Sequence, residues 1–135
     1  MDVNIEVGTG VFWQYKFSKV VSAKIEGAWR LAPEAGAMGV GPAVGDYSYW
    51  SSSLDDVTAR ACMFDDQYVF YANGSFKNIL GSETWNEAWQ AGVDADGCGA
   101  PVAPHNGANA ATWSVDEDAK TITIVGSGAF LGLPK

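Results

Sequence analysis

The chain has 135 residues, close to the size of one ordinary domain, and its sixteen acidic and eight basic residues give a formal charge of −8. Because the few Lys and Arg are scattered, this charge would repel a nucleic-acid backbone or an anionic membrane, and neither is expected as a partner. Apolar residues make up 47% of the chain and include six Trp, which predicts a folded core that needs no metal.

The sequence contains neither a membrane-spanning segment nor an export signal. No apolar run approaches the roughly 18 to 20 residues that cross a bilayer, so we expect no membrane insertion. Residues 1–4 lack the basic and apolar regions with which a signal peptide begins. We therefore expect one soluble domain over residues 1–135.

The N-terminal segment predicts a β-hairpin followed by a third strand. Polar and apolar residues alternate over residues 2–7, and aromatic and β-branched residues dominate residues 11–17. Residues 8–10 contain two glycines and predict a three-residue turn between these strands. Apolar residues at mostly alternate positions of residues 23–31 predict a half-buried strand.

Residues 32–66 predict a long loop, because glycines and prolines interrupt every periodic pattern in their first half. The loop carries Tyr47, Tyr49 and Trp50, which look exposed in their Gly- and Ser-rich setting. Long loops in compact domains are typically functional or mobile, so this segment is a candidate for binding.

The second half of the chain predicts two more hairpins. They consist of residues 67–71 and 75–80 around Asn73-Gly74, and of residues 111–115 and 121–125 around an acidic turn. The Asn-Gly pair is the strongest short hairpin signal in the chain and favours a type I′ turn.

Between these hairpins, residues 83–89 fit either a strand or a short helical turn. Residues 92–110, with four Gly and two Pro, predict irregular structure. Seven or eight short strands with few helical periods predict an all-β fold, either a small antiparallel β-barrel or a sandwich.

Several motifs in the chain are shared with a known family. They are Gly27-x-Trp29 and the segments 29–42, 62–66, 68–76, 81–85, 98–105, 112–116, 121–124 and 130–135. With these motifs the chain resembles lipocalin-like domains of exported bacterial proteins, and in particular a repeated accessory domain of marine Bacteroidetes polypeptides. That domain often stands beside laminarinase-type glycoside hydrolase domains. The resemblance covers residues 27–135 and implies a lipocalin-like barrel in a secreted or cell-surface protein.

In the family that the chain resembles, the segment matching residues 130–135 is followed by a closing hairpin. A hairpin of that shape here precedes the main body, residues 25–135, and occupies residues 1–19, as if it came from a preceding repeat. We expect it to close the fold, either within one chain as a circular permutant and monomer, or between chains in a domain-swapped dimer. Residues 18–24 would reach roughly 23 to 25 Å when extended, which favours the intrachain version.

Cys62 and Cys98 are 36 positions apart, and the residues alone leave two interpretations open, a disulfide or two buried thiols. Disulfides persist in oxidising compartments. Both cysteines lie in the motifs shared with the family and both flank loops, so the resemblance to an exported domain implies that they are bridged.

Aromatic residues supply the candidate binding surface. Tyr47, Tyr49 and Trp50 are suited to sugar binding, because pyranose C–H faces stack on aromatic rings. The alternative is that they cap one end of the fold. Trp85 and Trp89 are four positions apart, would share a face on either a helix or a strand, and are further carbohydrate-binding candidates.

No residue is assigned a catalytic role. Glu83 and Glu87 are four apart, and glycoside hydrolysis needs paired carboxylates, but the Glu-x-Asp-x-(x)-Glu strand of laminarinase-type enzymes is missing, so we interpret both as surface charges. His105, the only histidine, has no Ser or Cys in a nucleophile setting. If the chain were an enzyme, a glycoside hydrolase would be expected.

Asp94 and Asp96, followed by Gly97, resemble the opening of a calcium-binding loop. The bidentate Glu that closes an EF-hand is missing, so an ordinary glycine-rich turn is the preferred interpretation and Ca²⁺ the alternative. No other cofactor is expected, since the chain lacks a phosphate-binding glycine motif.

The sequence therefore predicts a non-catalytic, carbohydrate-binding accessory domain of a secreted polysaccharide-degrading protein. Its expected partner is a polysaccharide such as an algal glucan. One alternative is a glycoside hydrolase. The other is a lipocalin-like binder of a small apolar ligand, which would need an interior cavity rather than a core filled by aromatic rings.

Overall fold

A computed structural model describes residues 1–19, 25–119 and 121–134 of the chain. These residues form antiparallel β-structure with two short helices, so the predicted all-β class is confirmed. The elements are β1 (Asp2–Gly8), β2 (Val11–Lys19), β3 (Gly27–Leu31), β4 (Met38–Gly41), β5 (Trp50–Ser51), α1 (Leu54–Ala59), α2 (Ala61–Phe64), β6 (Gln67–Phe70), β7 (Ser75–Ile79), β8 (Thr84–Asn86), β9 (Gly97–Gly99), β10 (Ala111–Asp116) and β11 (Thr121–Val125). No helix in these ranges is long and apolar enough to cross a membrane.

Nine of these strands form one sheet, and β8 and β9 form a separate pair. Strand pairing leads from β1 through β2, β3, β6, β7 and β10 to β11, with β4 and β5 added beside β2. No pairing between β1 and β11 is found within the described ranges, so the sheet is not closed into a barrel. The expected barrel, closed by the N-terminal hairpin, is therefore corrected to an open sheet, which is compatible with the other expected architecture, a sandwich.

Strand β2 joins the two halves of this sheet. It pairs with β1 on one side, and on the other side with β4 through residues 12–15 and with β3 through residues 17–19. Alternation of side chains along β2 turns Tyr15 and Phe17 into the core. The N-terminal hairpin thus pairs with strands of its own chain, while the connection at residues 20–24 lies outside the described residues.

The core is filled largely by aromatic rings. Phe17 and Tyr68 meet edge to face with ring centroids 5.3 Å apart, and Tyr68 contacts Phe130 in the same way at 6.3 Å. Burial raises the pKa of Tyr15 and Tyr68, and both neutral hydroxyls bind the C-terminal backbone. Tyr68 Oη donates to the carbonyl of Gly132 at 3.3 Å, and Tyr15 Oη accepts the Leu133 N–H at 3.5 Å.

The hairpins predicted from the sequence are confirmed, but two of their turns differ from expectation. Gly8 belongs to β1 and pairs with Val11, so the first turn has two residues rather than three. In the β6–β7 hairpin, the Tyr71 N–H donates to the Ser75 carbonyl, which leaves a three-residue loop. Gly74 has φ +82° in this loop, a left-handed conformation that ends a common three-residue turn.

The prediction of one long loop over residues 32–66 was wrong. This segment contains β4, β5, α1 and α2. The start of α1 is a capping box, since the Ser53 side chain accepts the Asp56 N–H while the Asp56 carboxylate accepts the Ser53 N–H. Residues 83–89, for which strand and helical turn were both open, contain β8.

The predicted disulfide is present between Cys62, in α2, and Cys98, in β9. It ties the two helices to the small β8–β9 pair across 36 positions of sequence. A chain constraint of this length is expected to stabilise the fold by roughly 3 to 4 kcal/mol, mainly through the unfolded state.

Removing this disulfide should lower the free energy of unfolding by that amount. We expect the Cys62→Ser/Cys98→Ser double variant to unfold at lower denaturant concentration than the wild type, with Ser82→Ala, at an exposed position, as a neutral control. Titration of thiols in the denatured, unreduced wild type should find none. Two reactive thiols in oxidatively prepared protein would contradict the assignment.

Candidate functional site

A group of aromatic and charged side chains from four separate elements meets at one place on the surface. We call Trp13, Trp50, Arg60, Trp85 and Glu87 the tryptophan–arginine cluster. The guanidinium carbon of Arg60 lies 4.3 Å from the ring centroid of Trp85 and 5.9 Å from that of Trp50. Both distances are within the range of cation–π attraction.

Strand pairing positions two of the indoles. Val40 of β4 pairs with Trp13 of β2 on one side and with Trp50 of β5 on the other. Side chains at directly paired positions lie on the same face of a sheet. The Trp13 and Trp50 rings accordingly meet edge to face, with centroids 6.2 Å apart.

The helices and the disulfide position the other half of the cluster. Arg60 ends α1, and its backbone N–H donates to the Asp56 carbonyl at 2.9 Å. Cys62 follows two positions later, and its partner Cys98 pairs directly with Trp85 in the β8–β9 ladder. The disulfide therefore connects the segment carrying Arg60 to the strand pair carrying Trp85.

Glu87 fixes the Trp85 ring. The Trp85 Nε1–H donates to Glu87 Oε1 at 2.9 Å, and the backbone N–H of Glu87 donates to Gln90 Oε1 at 2.7 Å. Trp85 and Glu87 are both half-buried. A buried glutamine and a partly buried carboxylate thus hold the indole in one orientation.

Arg60 retains its hydrogen-bonding capacity. Within the described ranges, its guanidinium forms no side-chain hydrogen bond and no ion pair. A guanidinium presents five N–H donors in a fixed plane. The cluster therefore offers donors from Arg60, an acceptor at Glu87 and apolar ring faces within one half-buried surface.

The loop that carries Tyr47 and Tyr49 lies across the opposite face of β2 and β4 from Trp13 and Trp50, and it is held by Gln14. Gln14 Nε2 donates to the Asp46 carbonyl and its Oε1 accepts the Gly45 N–H, both at 2.5 Å. The Tyr47 ring lies on Gly39, where a Cβ would come within 1.7 Å of a ring carbon, so only glycine fits there. Tyr49 is 59% exposed on this ordered loop.

Trp89 lies outside this arrangement. It is 54% exposed, and its ring meets His105 edge to face at 5.3 Å. No ring contact between Trp89 and the cluster is found among the described side chains. The structure thus brings Trp50 and Trp85 together around Arg60, places Tyr47 and Tyr49 on the loop before β5, and leaves Trp89 in a different contact.

The comparisons with known proteins do not assign this site to a family. No protein-family model matches the chain, and no curated protein or solved structure matches it either. The lipocalin-like accessory family suggested by the sequence motifs therefore stays a prediction. The function of the cluster has to be argued from its own geometry.

One of the two calcium candidates, Asp96, has a structural partner. Asp96 Oδ1 accepts the Ala88 N–H at 2.7 Å and so ties the glycine-rich segment to the turn after β8. Asp94 is exposed. In the described part of the chain, no group of three or more His, Cys, Asp or Glu side chains could hold a metal ion.

The residues considered for catalysis, Glu83, Glu87 and His105, lie in three different environments. Glu83 is exposed, whereas Glu87 binds the Trp85 indole. His105 is packed between Trp89 and Phe130, and its buried Nδ1 has no hydrogen-bond partner. Burial lowers the pKa of His105, which favours the neutral imidazole.

Sequence reasoning missed three members of the site. Arg60 lay in the segment predicted as a loop, although Ser53-x-x-Asp56 is a readable helix-start signal that would have placed it at a helix end. Trp13 and Gln14 were treated as part of the N-terminal hairpin alone. The pairing of β2 with β4 brings Trp13 to Trp50 and Gln14 to the loop at residues 45–46.

Proposed function

We propose that this domain is a non-catalytic, carbohydrate-binding module, and that it binds a glycan chain at the tryptophan–arginine cluster and, across the edge strand β5, at the loop carrying Tyr47 and Tyr49. The observation that carries this proposal is the placement of the Arg60 guanidinium between Trp50 and Trp85, where its donors have no hydrogen bond or ion pair among the described residues. A pyranose ring needs this combination, since its C–H face stacks on an aromatic ring and its hydroxyls bind donors and acceptors.

The surface is preorganised for such a ligand. Trp85 is fixed by Glu87, Trp50 by its contact with Trp13, and the tyrosine loop by Gln14. Side chains that are already immobilised lose little entropy on binding. The interior is packed with aromatic rings, which favours a ligand on the surface over an apolar ligand in the core.

The wider setting follows from the same proposal. The disulfide is compatible with an oxidising compartment, and we propose a secreted or cell-surface protein that degrades polysaccharides. The net charge of −8 favours a neutral glycan such as an algal glucan over a polyanionic one. We further propose that the domain acts as a monomer, with the domain-swapped dimer as the alternative.

Replacing Trp50 or Tyr49 by Ala should weaken glycan binding without unfolding the domain. We expect the dissociation constant to rise about ten-fold for each variant, since one stacked ring contributes on the order of 1 kcal/mol or more. Affinity electrophoresis in gels containing laminarin, agar or alginate measures this directly. Tyr71→Ala is the matched control, because Tyr71 is similarly exposed on the β6–β7 hairpin.

Two outcomes would count against the proposal. Unchanged mobility of both variants, together with an unchanged melting temperature, would show that the aromatic side chains do not contact the glycan. Retardation of the wild type by none of these glycans would reject carbohydrate binding of this class.

A further inference from the structure

Strands β1 and β11 line one surface cleft. Its volume is about 490 Å³. Val3 and Asn4 of β1 contribute to one wall, and Thr121 and Ile122 of β11 contribute to the other. The cleft therefore lies between two strands that each pair with a single neighbour in the sheet, as β5 also does.

Strand β1 turns part of its backbone away from β2. Met1 and Phe17 exchange two hydrogen bonds, of 2.9 and 2.8 Å. In an antiparallel ladder, hydrogen-bonded pairs alternate with pairs that are not hydrogen-bonded. Asp2, Asn4 and Glu6 accordingly direct their N–H and C=O groups to the outer edge, and all three line the cleft.

The same reasoning applies to β11. In β10, the Trp113 N–H donates to the Gly74 carbonyl, which lies on the side of β7. The residues on either side of Trp113 therefore direct their backbone N–H and C=O groups to β11. Ser114 is paired with Thr123, which places the backbone groups of Ile122 and Ile124 at the outer edge of β11. Both walls of the cleft thus carry backbone donors and acceptors that have no partner among the described residues.

The direction of the strands indicates what would fill the cleft. Seven strands lead from β1 to β11, and every neighbouring pair is antiparallel. The first and last strands of an odd-numbered antiparallel series run in the same direction. One further strand can therefore be antiparallel to both at once, and it would complete an eight-stranded closed sheet.

The side chains around the cleft define the chemistry of that strand. Val3 and Ile122 are half-buried and pack against the core, so the strand should present apolar residues on its inner face. Asp2 and Glu6 lie on the exposed outer face, and complementary residues there are basic. A second copy of this chain fits poorly, since its charge is −8 and its own β1 edge is acidic.

We propose that the cleft between β1 and β11 accepts an extended segment of another polypeptide as an eighth strand, with apolar residues alternating with Lys or Arg. Main-chain hydrogen bonds to both edges would supply affinity, and the alternating side chains would supply specificity. This interaction surface is separate from the tryptophan–arginine cluster, so it does not depend on the proposed glycan binding.

A synthetic peptide tests this inference. The probe is the acetylated, amidated and fluorescently labelled heptapeptide Lys-Val-Lys-Val-Thr-Val-Lys, titrated with the full chain and followed by fluorescence anisotropy. We expect saturable binding that slows hydrogen exchange of the Asn4 and Ile122 amides. Methylating two alternate backbone nitrogens, or replacing Lys by Glu, should each weaken binding at least about ten-fold, because hydrogen bonds or charge pairs are lost.

A matched pair of protein variants locates the site. Asn4→Pro removes an outward N–H from the middle of β1, where an edge strand tolerates proline, and should weaken binding about ten-fold or more. Asn4→Ala keeps the N–H and should bind within about two-fold of wild type. A melting curve checks that Asn4→Pro folds. If this variant does not fold, the comparison of the methylated with the unmethylated peptide on the wild type tests the inference instead.

Three results would overturn the inference. They are absence of binding, equal binding of the methylated peptide, and sedimentation showing that the free protein pairs with itself through this edge, in which case a second copy is the occupant.

Discussion

Deletion of residues 1–19 should abolish cooperative unfolding and cause aggregation. The deletion removes two side chains of the core, Tyr15 and Phe17. It also removes β2, the strand with which both β3 and β4 pair. Truncating one buried aromatic side chain costs about 3 to 5 kcal/mol, and the total stability of a domain is about 5 to 15 kcal/mol. The loss of two such rings together with a central strand is therefore expected to exceed what the fold can tolerate. Circular dichroism during thermal unfolding measures the effect.

A point variant separates the core contribution from the general effect of shortening the chain. Phe17→Ala should lower the free energy of unfolding by about 3 to 5 kcal/mol. Lys16→Ala, the control, removes only an exposed ion pair with Glu34 and should cost no more than about 1 kcal/mol. A truncated protein that remains monomeric with an unchanged melting temperature would show that the hairpin is not part of the folded core.

The buried carboxyl group of Asp66 should make stability fall as pH rises. Asp66 is 1% exposed, its Oδ2 accepts the Thr84 hydroxyl at 2.6 Å, and its Oδ1 has no partner. Burial raises the pKa of this group from 3.8 to about 8, so the folded protein keeps the proton that the unfolded chain releases near pH 4. The stabilisation is complete below about pH 4 and is lost as pH rises towards 8.

The expected size of this effect is several kcal/mol, since each unit of pKa shift corresponds to about 1.4 kcal/mol. Urea unfolding at pH 5 and pH 9 would measure it. Asp66→Asn should be more stable than wild type at pH 9 and should show a flatter pH profile. Glu117→Gln, at an exposed position in the turn between β10 and β11, is the control and should keep the wild-type profile, since Glu117 is not among the groups that shift the pKa of Asp66. A parallel decline of Asp66→Asn and wild type would contradict the assignment.

Local sequence signals were sufficient for the hairpins. In β2 and in the β10–β11 pair, alternating side chains and an adjacent turn identify two strands that meet directly in sequence, so each prediction used only neighbouring residues. The turn lengths were less accurate, because a register shift within β1 and the bulge-type loop before Ser75 depend on how the paired strands twist.

Non-local pairing could not be obtained in this way. Met38–Gly41 is a four-residue strand containing two glycines, and only its position between β2 and β5 makes it a strand. The sequence also did not indicate whether the sheet is closed or open, since closure depends on whether β1 and β11 lie close enough to pair. Both architectures were therefore left open, and the barrel closure that was expected is not observed.

The candidate site was predicted only in part for a similar reason. Trp50 and Trp85 were selected for their residue type, but their common neighbour Arg60 is brought to them by the Cys62–Cys98 disulfide and by a capped helix. Trp89 was selected by the same spacing argument as Trp85. It meets His105 instead, because β8 ends at Asn86 and the chain turns before residue 89.

The contact between Tyr15 and Leu133 has a consequence for how the protein is made. These two residues are 118 positions apart, and Asn78 likewise binds the backbone of Phe130 across 52 positions. Contacts between distant parts of a chain require the closure of long loops, and proteins that depend on them fold slowly. On the ribosome, residues 1–19 emerge before residues 130–134 and cannot complete their packing until these follow. We therefore expect the apolar face of the hairpin to be exposed to chaperones until residues 130–134 have emerged.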